Sequence, residues 1–464
     1  MVKKRDLRAM ICMMTACLSS MIHHHQQLLL AASRMDEDDA DDDAKDDDDD
    51  VHDHHREEPK KKRTRCSYGR PDYNSSEWAV MLKNTQLLAD PTTEEAKSFR
   101  ASFRVPYPFF LDLVKNVKAG EWEGFMANTT GVGRLNYICV ELKVLAVLYV
   151  LGKGNSFDDV SQMSRLSVPT VQRIFHAFME RYATELYATT VVKPTGQALA
   201  DTLKAFDAAG FPGAVGSTAV THLHWQHAPF SGRQTYLGKE GLPTLAYECT
   251  VDRSGRCLAA TKGMPGAQSH STLACSDEFV KEVRDGDYKD VEFTLKGENG
   301  EDVKEKGLWL LSGGEHHRWR CLQCPVKVPA TQADLTYRHH HERVHKDAEH
   351  FFETLKGRFR ILKAPCLYKK PECIDNVFLA CCVLHNMLHD FDGIELLEAG
   401  VDWKGADGDL DPAEDGSEGV ALLTPPPAVA PVQIEVENGF HSLRKKLVAN
   451  LMFRKLQGTL DEPA

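Results

Sequence analysis

The chain has 464 residues, enough for roughly two or three domains or one large core with tails. Its 42% hydrophobic and 27% charged residues are a globular composition, and no apolar run nears the ~20 residues of a bilayer-spanning helix, so no membrane role is expected. Thirteen cysteines, an odd number with no regular spacing, argue against a secreted disulfide scaffold and fit a reducing compartment.

The formal charge of -12 is local. Residues 36–50 hold twelve acids and one lysine, so -11 of the -12 sits there and the remainder carries -1. Overall charge is therefore no argument for or against nucleic acid, and local basic patches must carry that case. Before the acidic run, Lys3-Lys4-Arg5 and a diluted apolar stretch to Ile22 are similar to a weak targeting peptide; the alternative is a disordered start, with Met35 a second candidate initiator. After it, Lys60-Lys-Lys-Arg-Thr-Arg65 reads either as a nuclear localisation or phosphate-contacting cluster, or as a solvated balance to the acids. Residues 1–65 have nothing with which to build a core.

Apolar periodicity begins near Trp78, where Val80, Leu82, Leu87 and Leu88 predict a first helix, and continues through Phe99, Phe103, Phe109 and Phe110. Residues 142–151 form an apolar helix stopped by Gly152 and Gly154. Ser156 can cap a short helix over 157–163, and Ser167 a second one running to about Tyr182. In the second, Val171, Ile174, Phe175 and Phe178 make one buried stripe and leave Thr170, Gln172, Arg173 and His176 outside. The pair reads as a helix-turn-helix with Thr170, Gln172 and Arg173 as candidate DNA contacts, although many helical hairpins share the pattern.

From Gly210 the period changes to that of strands. A strand is expected from Ala214 to Trp225, then a hairpin over 244–251 and 256–261 turning at Asp252-Arg-Ser-Gly255. A helix is expected near 271–283, a charged loop with at most short strands over 285–306, and a strand at Gly307-Leu-Trp-Leu-Leu311. Helices follow over 345–362 and 374–388. This is an α+β order, satisfied by one mixed sheet flanked by helices. Residues 400–432 are Pro-, Gly- and acid-rich and read as a linker. Phe440 to Phe453 is an amphipathic basic helix with Leu443, Leu447 and Leu451 on one face, expected to dock on the core.

Several segments in order carry a resemblance. They are Tyr68-Gly-Arg-Pro-Asp-Tyr73, Phe103-Arg-Val-Pro-Tyr-Pro-Phe-Phe110, Gly210-Phe-Pro-Gly213 with Gly216-Ser-Thr218, and Gly263-Met-Pro-Gly-Ala-Gln268. Arg318-Trp-Arg-Cys-Leu-Gln-Cys-Pro325, Lys346-Asp-Ala-Glu349, Leu355-Lys-Gly-Arg-Phe-Arg-Ile-Leu362 and Leu384-His-Asn-Met387 complete the set. Together they resemble the PIF/Harbinger superfamily of DDE transposases and their domesticated relatives. The resemblance implies an RNase H-like mixed sheet flanked by helices, behind an α-helical domain containing the helix-turn-helix. The implied organisation is a tail over 1–65, a helical domain over 66–200, a nuclease-like domain over 201–395, a linker over 396–432 and a C-terminal helix over 433–464.

The resemblance also implies Mg2+, held by three acids. Phosphodiester cleavage commonly uses two divalent ions, and hard Mg2+ wants oxygen ligands. Carried onto this chain, the first two positions fall at Ala219 and Ser312 and the third at Glu349; a further family acid falls near His270. Alanine offers no oxygen and serine a neutral one, so the expectation is an inactive scaffold that binds DNA or protein. Productive Mg2+ binding is not expected. The alternative is an active divalent-metal nuclease with rearranged ligands, Glu315 being the nearest substitute. A decayed copy without function is a third reading. A Myb-like DNA-binding partner and a nuclear location are also implied.

Two side constellations remain. Cys321 and Cys324 precede His341 and His345 in a spacing longer than a usual zinc finger, which reads as zinc or as a plain loop. Arg338, Arg343 and Lys346, beside the histidine triplet at 339–341, form a basic approach to Glu349 that can hold phosphates or simply be solvated.

Overall fold

The computed structural model describes residues 73–122, 124–126, 138–392 and 434–460. The possible targeting segment, the acidic run, the basic cluster at 60–65 and the linker at 396–432 lie outside the described residues.

The helical layer comes first. α1 (Glu77–Met81) and α2 (Thr85–Ala89) replace the single helix expected near Trp78, because the chain leaves the helix at Leu82 and restarts after Asn84. α3 (Glu94–Phe103) is capped by Thr93 and stopped by left-handed Arg104; α4 (Tyr107–Ala119) follows, with Pro108 tolerated in its first turn. α5 (Val140–Lys153) is mostly apolar and is accordingly buried along most of its length. α6 (Phe157–Ser164) opens with a reciprocal Ser156–Asp159 capping box. α7 (Val168–Arg181) is capped by Ser167 and buries the expected Val171, Ile174, Phe175 and Phe178. A π-helical turn over Tyr182–Leu186 leads into α8 (Tyr187–Thr190), followed by α9 (Gly196–Ala208).

The sheet is built from β1 (Ala214–His224), β2 (Thr244–Val251), β3 (Cys257–Ala260), the short β4 (Met264–Pro265), β7 (Trp309–Ser312) and β8 (Leu322–Gln323). Its order is β3-β2-β1-β7-β8, with β4 paired beside β2. β1, β2 and β3 are antiparallel neighbours, whereas β7 runs parallel to β1 and β8 parallel to β7. It is therefore a mixed sheet, as expected. A tiny helix, α10 (Arg233–Tyr236), lies between β1 and β2. In the expected hairpin turn, Asp252 Oδ1 accepts from the Ser254 and Arg256 amides.

Three segments differ from expectation. The helix expected over 271–283 is two, α11 (His270–Ser276) and α12 (Glu278–Asp285), because Asp277 ends one and its carboxylate caps the other. The charged loop over 285–306 contains a two-stranded antiparallel hairpin, β5 (Glu292–Lys296) and β6 (Asp302–Lys306). The helix expected from His345 starts at Gln332: α13 (Gln332–Arg358) opens with a Thr331–Asp334 capping box, and histidines form part of its buried stripe. α14 (Pro371–Asp392) follows.

The sheet has a core on each face. Leu310 and Leu322 pack with Ala274, Phe279 and Val280 of α11 and α12. On the other side, Leu223, Tyr247 and Cys249 join α13, α14 and the helical layer in one continuous core. The C-terminal helix α15 (Asn438–Gln457) docks as its stripe predicts, with Leu443, Leu447 and Leu451 buried beside Phe211, Trp309, Leu311, Tyr337 and Val344. Among the described residues no helix is long and apolar enough to cross a membrane.

Candidate functional site

The register of the two central parallel strands decides which side chains can meet. Ser217 pairs with Leu311 and Thr218 with Ser312. Side chains alternate across a strand, so Thr218 and Ser312 share one face and Ala219 lies on the other. The neighbours identify the faces. Leu310, with the parity of Ser312, packs toward α11 and α12. Leu311 packs beside Tyr337 and Val344 of α13, the helix that carries Glu349. Ala219 faces the same side, packed against the core that includes Ala348 and Phe352 of α13. Thus the structure does not bring Ser312 to the face of Ala219. The residue after β7 with the right parity is Gly313.

The Ser312 face carries a buried polar cluster that the sequence reading missed. Thr218 Oγ1 donates to Glu248 Oε1 at 3.0 Å, and His316 Nε2 lies 3.0 Å from the same oxygen. His316 Nδ1 is 3.3 Å from the Gly313 carbonyl, so both ring nitrogens face acceptors and an imidazolium satisfies both. Burial works against that charge, but the charge of Glu248 and its hydrogen bond outweigh it and raise the His316 pKa. Glu248 Oε2 and Asp277 Oδ2 are buried without hydrogen-bond partners. Burial, then the charge of Glu248, pushes the Asp277 carboxyl up to about 7. Ser312 is fully buried, its hydroxyl donating to the Gln323 carbonyl at 3.4 Å. The available sequence signal was Glu248 itself, a charge inside an apolar strand.

At the end of this cluster, Glu315 is half-exposed and paired with Lys239 Nζ at 2.8 Å; His270 Nε2 is 3.4 Å away. Burial, then the proximity of His316, pushes His270 down to about 4, which keeps it neutral.

α13 lines the Ala219 face with neutral histidines. His345 Nε2 donates to the Thr218 carbonyl at 2.9 Å, and His341 Nε2 to the Gln323 carbonyl at 2.8 Å. Burial pushes them down to about 4 and about 3. Asp347 pairs with Arg253 of the β2–β3 turn. Glu349 and Lys346 are exposed and unpartnered among the described residues. Arg338 pairs with Glu342 at 2.9 Å, and Arg343 donates to His340 Nδ1 at 3.1 Å. The outer face of α13 therefore mixes basic residues with Glu342 and Glu349.

On α7, Arg173 is exposed and Thr170 and Gln172 are half-buried; the Thr170 hydroxyl is 2.8 Å from that of Ser167. His176, read as outward, stacks edge-on against Tyr368 with ring centroids 5.4 Å apart. Cys321 packs in the α11–α12 core, while Cys324 Sγ lies 3.2 Å from Arg444 Nη2. His341 and His345 bond backbone carbonyls, so these four do not converge as a zinc site.

A divalent ion requires several oxygen ligands converging on one point. Around Ala219 the side chains offered are a methyl group, neutral imidazoles bonded to carbonyls, and one exposed carboxylate. Glu248 is committed to His316 and Thr218, and Glu315 to Lys239. These residues do not fit a two-ion carboxylate site.

Comparison with known proteins finds sequence similarity over the segment that carries these residues. Residues 188–393 match the family described as plant transposon protein. The human protein named Putative nuclease HARBI1 is 26% identical over 260 residues, covering 55% of this chain and 68% of its own length. Its Xenopus laevis counterpart is 26% identical over 267 residues, covering 56% and 71%. The Arabidopsis thaliana protein Antagonist of like heterochromatin protein 1 is 23% identical over 300 residues, covering 63% and 72%. No solved structure matches. The matched span includes the whole sheet, α13 and α14, the elements that carry the site, and over that span the chain is similar to transposase-derived nucleases.

Proposed function

We propose that this protein is a nuclease-family scaffold that has lost metal-dependent cleavage and acts by binding DNA in the nucleus. The observation that carries this reading is Ala219: on the sheet face turned toward the helix of Glu349, the central strand presents a methyl group. The order β3-β2-β1-β7-β8, three antiparallel strands followed by two parallel to β1, is similar to the RNase H-like arrangement and supports that fold. The names of the relatives support an ancestral action on nucleic acid.

DNA contact would fall to the exposed basic groups of α13, Arg343 and Lys346 with Arg338 beside them, and to Arg173, Thr170 and Gln172 of the α6–α7 helix pair in a helix-turn-helix role. Phosphate contacts of this kind give salt-sensitive binding without base specificity. A Myb-like partner would supply sequence recognition, and the basic cluster at 60–65 would direct nuclear import.

The test is incubation with duplex DNA in Mg2+ and in Mn2+, beside two double variants, Ala219→Asp/Ser312→Asp and Ala219→Asp/Gly313→Asp. The expected result is no cleavage by the unmodified protein, with DNA retention that weakens as salt rises. Cleavage by the unmodified protein that disappears in Glu349→Ala would overturn the loss of activity. Absence of any DNA retention would overturn the binding role.

A further inference from the structure

Three thiols converge in the core between the sheet and α14, on the sheet face of Ala219, whose partner across β1 and β2 is Cys249. Cys249 belongs to β2, Cys257 to β3 and Cys382 to α14, and their sulfurs all lie within 4.8 Å of one another. All three are fully buried. We propose that Cys249, Cys257 and Cys382 form a trigonal site for a soft, closed-shell metal ion, and that the ion is Cu(I).

The first argument is geometric. Three sulfurs at a metal–sulfur distance near 2.3 Å, mutually in plane, stand about 4 Å apart, which the spacing here accommodates. The ligands come from two strands and a helix rather than from a loop, so the backbone holds them in place. The Asn386 side chain grips Cys257 on both sides: its Oδ1 accepts from the Cys257 amide at 2.9 Å and its Nδ2 donates to the Cys257 carbonyl at 2.7 Å. The Tyr187 hydroxyl does the same for Ala260 on the same strand, at 2.8 and 2.9 Å. These bonds fix the backbone of β3 that carries Cys257.

The second argument concerns protonation. Isolated buried thiols stay protonated and behave as small apolar groups. Here the Cys257 thiol donates to the Ala259 carbonyl at 3.5 Å, so it carries its proton before an ion binds. Binding Cu(I) as three thiolates displaces three thiol protons to solvent and forms three copper–sulfur bonds, leaving a net charge of −2 at the site.

The choice of ion follows from what is missing around the sulfurs. Among the described residues no histidine, carboxylate or fourth cysteine joins the trio. Zinc takes four ligands in nearly all structural sites, whereas thiolate sulfur selects the softer Cu(I), for which three suffice.

The experiment uses full-length protein from copper-supplemented cells, purified without oxygen and washed with a Cu(I) chelator. About one equivalent of copper is expected to remain, with an ultraviolet sulfur-to-copper charge-transfer band. Cys382→Ala and Cys257→Ala should each lose both signals. Cys381→Ala removes a thiol of equal burial next door and should keep them, which separates ligation from core packing. Copper below roughly a tenth of an equivalent in the folded protein, or equal retention by folded Cys382→Ala, would overturn the site. Zinc in place of copper would overturn the assignment of the ion.

Discussion

Thr218 of β1 is the parallel-strand partner of Ser312 of β7, and this pairing turns Ala219 away from Ser312 and toward α13. The family resemblance implies that Ala219, Ser312 and Glu349 form one constellation. The register divides it, with Ser312 beside the Glu248–His316 pair and Ala219 beneath the helix of Glu349.

That division separates two substitutions. Ser312→Asp places a carboxylate in a fully buried position whose present hydroxyl bonds a carbonyl, and should cost about 3 kcal/mol or more in urea unfolding. At Gly313 an added Cβ would meet His316 Nδ1 no closer than 3.8 Å, so Gly313→Asp should stay within about 1 kcal/mol of the parent. Equal costs would show that the two positions share an environment.

Asp277 caps α12 through the Phe279 and Val280 amides. Its folded pKa of about 7 lies above its ordinary 3.8, so the folded state holds a proton that the unfolded chain has released. Stability from this group therefore falls as pH rises from about 4 to about 7. Asn keeps the cap and removes the titration. Asp277→Asn should be more stable than the parent above pH 7, by up to about 4 kcal/mol, and little changed near pH 4. Parallel stability–pH curves for the two proteins would contradict this.

His341 and His345 act in the opposite sense. Their folded pKa values, about 3 and about 4, lie below the ordinary 6.5, so below pH 6.5 the unfolded chain takes up protons that the folded state refuses. Their contribution is complete above pH 6.5 and is lost as pH falls toward 4. His345→Gln, which retains a donor for the Thr218 carbonyl, should flatten the acid side of the curve measured by urea midpoint between pH 7 and 5.

Leu447 is fully buried at the centre of the α15 stripe, against the core of Phe211, Trp309 and Tyr337. Leu447→Ala should cost about 2–5 kcal/mol, read as a lower unfolding midpoint. A cost near zero would mean that α15 does not stay docked in solution.

Asn386 satisfies the amide and carbonyl of Cys257. Asn386→Ala leaves two buried backbone groups without partners and should cost about 2–4 kcal/mol. Amide hydrogen exchange at Cys257 should accelerate in step, and unchanged exchange would argue against the clamp.

Much of the helical layer was legible because its signals are local. The Ser156 and Ser167 caps, the Val171–Ile174–Phe175–Phe178 stripe and the breaking Gly154 act within one or two turns. The start of α13 was not legible, since its stripe uses His340 and His341 where an apolar residue is the usual sign. β5 and β6 were hidden by their charge: only Leu295 is buried, and the strands hold together by pairing with each other.

The chemistry offered at each position was determined by the sequence alone: a methyl group at Ala219, a hydroxyl at Ser312, a carboxylate at Glu349. A side chain's functional groups do not depend on the fold. Which of them meet was decided only by the tertiary structure. Facing depends on strand register, here with an irregularity between Ala214 and Gly216, and a shift of one residue reverses every side chain of a strand. The same holds for Cys249, Cys257 and Cys382, which are brought within reach of one another only when β2, β3 and α14 pack together.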